Sequence, residues 1–134
     1  MFYPHGTTIA VTDGHNLRIF QNAGDDRRLQ LVELPKPDIH AHSHGATRAH
    51  HTSGANESER HLQEDSYASA AASWLNTQVL GGHIKDLFIV APARTLGELR
   101  QHYHAKLKDK LLGELNKEHI HDAIDHLQDA LLRV

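Results

Sequence analysis

The chain has 134 residues, 39% of them hydrophobic, with a formal net charge of −3 and no cysteine. That length supports one domain with a real core, and the missing cysteines exclude disulfides, thiolate catalysis and thiolate-bound zinc. The acidic balance gives no general pull towards nucleic acid or anionic membranes, although fourteen histidines make the charge depend strongly on pH between about 5 and 7. No basic, apolar leader opens the sequence, and the longest nearly apolar run, Leu87 to Ala93, is far too short for a membrane span. The expectation is a cytoplasmic protein with no membrane association.

Thr7 to Thr12 reads as a strand with Ile9 and Val11 on one face. Asp13-Gly14 then signals a hairpin into Leu17 to Phe20, where Leu17 and Ile19 alternate against Arg18 and Phe20. After a turn within Gln21 to Arg28, Leu29 to Leu34 forms a third strand, stopped by Pro35-Lys36-Pro37. From Pro35 to Asn56 the periodicity disappears into Pro, Gly, Ser, Thr and five histidines, a long connection of the kind that is either functional or disordered in compact domains.

A helix is expected from near Glu57, with Asn56 and Glu59 as a capping box and Leu62, Tyr67, Ala71, Trp74 and Leu75 along one stripe, closed by Gly81-Gly82. The run from Ile84 to Ala91 has the composition of a central strand covered on both faces. Thr95 with Glu98 suggests a second capping box opening a helix through Leu96, Leu99, Tyr103 and Leu107. Leu111 to Leu115 reads as a fifth strand or a helical continuation, and Ile120, Ala123, Ile124, Leu127 and Leu131 step along a last helix. The predicted order is β-β-β-α-β-α-β-α. It implies one α/β domain over residues 1–134: a mixed five-stranded sheet with helices on both faces and a His-rich loop at 35–56.

Three segments resemble a known family. Pro4-His5-Gly6-Thr7 with Val11-Thr12-Asp13-Gly14 and Leu17-Arg18-Ile19-Phe20, then Ala91 to Arg100, then Gly113-Glu114-Leu115-Asn116-Lys117-Glu118, are together similar to the bacterial host attachment proteins. The likeness covers essentially the whole chain. Those proteins are labelled as required for attachment to host cells and are related to the middle domain of archaeal and eukaryotic peptide-release factor 1, an RNase H-like α/β layer structure. The resemblance implies that fold, a ribosome or RNA partner, and a working loop after the third strand, where the release factor carries Gly-Gly-Gln. In this sequence the nearest local counterpart is Gly54-Ala55-Asn56. Without the tripeptide, ribosome association is the expectation and peptidyl-tRNA hydrolysis is not; Gly54 and Asn56 stand as loop candidates.

Other candidates come from the residues themselves. Arg94 and Thr95 at a helix start suit an anion such as RNA phosphate, and Arg48 and Arg60 add charge; a strand-to-helix connector is the plainer reading of the first pair. His40, His42 and His44 alternate, so an extended backbone projects them to one side; with His50, His51 or His61 they make a zinc or nickel donor set, set against a loop that binds metal only adventitiously. Asp13, Glu33 and Asp86 are the carboxylates near sheet elements, the raw material of a metal-dependent hydrolase or nuclease. Asp13-Gly14 as a simple tight turn is the plainer reading of that pair. His119, His121 and His126 are read together with Asp122, Asp125 and Asp129 as surface pairs on the last helix.

Overall fold

The computed structural model describes residues 1–40 and 57–134. β1 (Thr8–Thr12), β2 (Leu17–Asn22) and β3 (Leu31–Glu33) form the expected antiparallel meander, and β4 (Leu87–Ala91) and β5 (Leu111–Asn116) add to β1 in parallel. The sheet order is β3-β2-β1-β4-β5. The helices are α1 (Glu57–Leu80), α2 (Ala93–Arg100), α3 (Ala105–Lys110) and α4 (Ile124–Leu132).

Alternation along the strands divides the core into two layers. Ala10, Leu17, Ile19, Leu87 and Ile89 face α1, α2 and α3, while Ile9, Val11, Phe20, Phe88 and Val90 face α4 and the ring of Tyr3. β1 and β4 are buried at every position, which explains why their sequences lack polar alternation. On the first face α1 presents Ala68, Ala71 and Ala72, fully buried, so its backbone lies close to the sheet. Glycine at 82 takes φ +79° just beyond α1, a left-handed position that ends the helix as the Gly-Gly signal implied.

Three boundaries differ from expectation for local reasons. β3 is only three residues long, because the Asn22 side chain and Gln128 take up the backbone N–H groups of Gln30 and Leu31. The helix expected to run from Thr95 to Leu107 is two helices. Asn76 of α1 enters the break, donating to His102 O at 2.8 Å and accepting from His104 N at 3.0 Å, and the His104 ring caps α3 by accepting from Lys106 N. The last helix starts at Ile124 instead of Ile120, so His119, His121 and Asp122 precede it and do not share it with His126. Leu62, expected on the buried stripe of α1, is 50% exposed, whereas Tyr67 and Trp74 do pack against the core.

Candidate functional site

Because β1, β4 and β5 run parallel, the chain leaves all three at the same end of the sheet. Open α/β sheets bind their ligands beyond that end. Asp13 follows β1, Arg94 lies in the first turn of α2 just after β4, and Glu118 and His121 follow β5.

The Asp13 carboxylate is fixed by its own turn: Oδ1 accepts from His15 N at 2.7 Å and Asn16 N at 2.6 Å. Gly14 has no positive φ; its role is closeness, since a Cβ there would lie 2.6 Å from Glu64 Cβ and 2.5 Å from Glu64 Cγ on α1. Across the sheet end, the segment after β5 is held by Arg18 of β2. Its Nη1 donates to Ile120 O at 3.0 Å and Asp122 O at 2.8 Å, while Nε and Nη2 grip both oxygens of Glu33 at 3.0 and 2.8 Å. Those hydrogen bonds hold Glu33 below its ordinary carboxyl range and push Arg18 up. His119 Nδ1 adds a 2.6 Å contact to Asp122 Oδ2, tightening the same turn.

The result is a convergence of donors: one ligand atom each from Asp13, Glu118 and His121 lies within 4.8 Å of the other two. This Asp/Glu/His cluster can coordinate a metal ion. Glu118 and His121 have no hydrogen-bond or ion-pair partner among the described residues. Beside Asp13 opens a cleft of about 450 Å³ lined by His15, Lys36, Pro37, Asp38, Ile39 and Tyr67. Burial, then the Asp13 charge, raises the Tyr67 hydroxyl to about 12.

Of the strand carboxylates, only Asp13 belongs to this cluster. Glu33 pairs through Phe20 to the level of Ile9, well inside the sheet, and is occupied by Arg18. Asp86 precedes β4 and accepts from Thr8 N through its carbonyl at the opposite end. The sequence offers Glu118 only as the end of a family-like segment and His121 only as part of a surface pair on the last helix. The late start of α4 is what frees His121, and no periodicity signals it.

Arg94 is exposed, with Nη2 2.9 Å from Asp65 Oδ2 on α1, in a cleft of about 420 Å³ that Glu98 and Gln101 also line. Thr95 is not a cap: α2 begins at Ala93 behind Pro92, and Thr95 is buried in its first turn. Arg60 is exposed on α1. His40 Nε2 lies 3.2 Å from Asp38 Oδ2, and His61 is 3.7 Å from Glu57 on its own helix. His42, His44, Arg48, His50, His51, Gly54 and Asn56, with the capping box proposed for Asn56, lie outside the described residues.

The mixed sheet, the long β3–α1 connection and the layered helices define a release-factor-type α/β domain. The sequence profile of the bacterial archaeo-eukaryotic release factor family 12 matches residues 6–131, and the chain belongs to that family. The match establishes the release-factor relation of the resemblance and does not extend to attachment to host cells. No curated protein matches the chain. Among the described residues, no helix is long and apolar enough to cross a membrane.

Proposed function

We propose that this domain acts in the cytoplasm on the ribosome or its RNA, as a binding protein and not a peptidyl-tRNA hydrolase. The observation that carries the reading is family membership over residues 6–131 together with the position of the 35–56 segment, between the third strand and the first long helix. By the resemblance, that is where the release-factor domain bears its Gly-Gly-Gln loop; here the segment is His-rich and carries no such tripeptide. Arg60, Arg48 and, where phosphate displaces Asp65, Arg94 supply the cations for phosphate contacts, so affinity falls with salt. Co-sedimentation with ribosomes at low and moderate salt tests this, comparing the native chain with one in which Ala41 to Thr52 is a short Gly/Ser loop. Saturable binding at moderate salt that needs the loop supports the reading; salt-labile binding indifferent to the loop overturns it.

A second reading, metal-dependent hydrolysis of a phosphodiester, is favoured by the convergence of Asp13, Glu118 and His121 at the sheet end. A metal held there supplies an activated water and polarises the phosphoryl oxygen. Cleavage of a labelled RNA in the presence of zinc or manganese, abolished by Asp13→Asn, is the expected result; equal cleavage by the variant removes this reading.

A further inference from the structure

We infer that Asp13, Glu118 and His121 bind one divalent ion of the zinc and nickel class, and that Arg18 is the positioning residue of that site. The inference rests on the strand-end donors of the hydrolase reading but concerns binding and its control. Two carboxylates with one imidazole favour borderline metals, whereas magnesium and calcium prefer all-oxygen shells. With the donor atoms no more than 4.8 Å apart, side-chain shifts of less than about 1 Å bring each to the ~2.1 Å of a zinc bond. Three protein donors leave a position open for water or substrate.

The three donors come from two segments distant in sequence: the Asp13 carboxylate is itself held, and the segment that carries Glu118 and His121 is held through its backbone. Asp13 is oriented by the N–H groups of its turn. Glu118 and His121 belong to the segment that Arg18 ties to β2 through the carbonyls of Ile120 and Asp122. Arg18 in turn is immobilised by the carboxylate fork of Glu33. A guanidinium makes four directed bonds here, and a lysine ammonium cannot reproduce that planar geometry. Arg18 therefore sets the distance between the halves of the site without touching the ion.

The test uses the full chain with His40, His42, His44, His50 and His51 changed to Ala, which removes competing loop donors. Cobalt is titrated with visible absorption as the readout, and zinc by competition with a chromophoric chelator. One equivalent should bind, with Glu118→Gln and His121→Ala, both exposed positions, weakening it at least about 100-fold. Asp13→Asn keeps the turn acceptor and should do the same. Arg18→Lys and Glu33→Gln should each weaken binding about tenfold, the scale of outer-contact effects on metal sites, in protein that melts as one folded species without metal. Unchanged affinity in Glu118→Gln, His121→Ala and Asp13→Asn overturns the site. Unchanged affinity in both Arg18→Lys and Glu33→Gln overturns the positioning role. Tight binding without RNA cleavage upholds the inference and removes the hydrolase reading.

Discussion

Tyr103, in the break between α2 and α3, donates its hydroxyl to Glu114 Oε2 of β5 at 2.8 Å, and Arg100 holds the other carboxylate oxygen at 2.7 and 3.0 Å. Burial, followed by that hydrogen bond and the Glu114 charge, drives Tyr103 far above its ordinary value of 10.0. Tyr3 is raised to about 12 by burial, and Tyr67 to about 12 by burial and Asp13.

All three tyrosines of the chain therefore stay protonated in the folded state at pH 10. A raised folded value means that the stability these groups contribute is complete below pH 10 and is lost as pH rises through about 12. In an alkaline titration, tyrosinate absorbance should be absent at pH 10 and should appear together with loss of far-UV circular dichroism. Smooth ionisation near pH 10 in a folded chain would contradict the burial of these rings.

Glu33 gives the acid counterpart. Its carboxyl is held below 4.5 chiefly by the Arg18 hydrogen bonds, so the contribution is present above pH 4.5 and is lost as pH falls through the lowered folded value. Glu33→Gln should unfold at lower urea than the native chain at pH 7, with the difference closing below pH 4.5. A pH-independent difference would place the effect elsewhere.

Asn22 is fully buried at the end of β2 and organises the following turn. Its Nδ2 donates to Tyr3 O at 2.9 Å, and its Oδ1 accepts from Gly24 N and Gln30 N at 2.9 and 3.0 Å. Asn22→Ala strands these backbone groups and should cost about 3 kcal/mol in a urea titration. Asn22→Asp keeps the acceptor but places an unpaired charge beside the Tyr3 carbonyl, and should be no better.

Gly14→Ala is expected to destabilise by about 1–3 kcal/mol through overpacking. The obstacle is the root of the Glu64 side chain, not its movable end. Glu64→Ala removes Cγ and the carboxylate but leaves Cβ in place, so it should recover only part of the loss. Full additivity of the two changes in a double-mutant cycle would show that they do not meet.

The meander, the buried central strands and the closing glycines were legible because each depends on local pattern: β-branched alternation over Thr8 to Thr12, the apolar run at Leu87, and Gly81-Gly82 after a helix. What periodicity could not show was set by single side chains acting across the fold. Asn76 splits a helix from 26 residues away by bonding His102, and Arg18 holds the turn that delays α4. Asp13 was visible as a carboxylate at a strand end, but Glu118 and His121 become its neighbours only because β5 lies parallel to β4. A histidine flanked by the two carbonyls that Arg18 holds, those of Ile120 and Asp122, has no sequence signature of its own. Asp-Gly at 13–14 marked the right turn for a different reason, since the glycine answers crowding by α1 and not a left-handed backbone.

The pairing of β1 with β4 aligns Thr8 with Leu87, so the middle of the sheet closes only after most of the chain exists. As the chain emerges from its start, the meander can form early, yet one edge of β1 then carries unpaired N–H and C=O groups between two apolar faces. Such an edge is a template for pairing with another chain. Closing so long a loop also slows folding far more than it lowers final stability. Yield during synthesis should therefore depend on how quickly β4 reaches β1, making production of this domain more sensitive to temperature and expression rate than the stability of its finished fold.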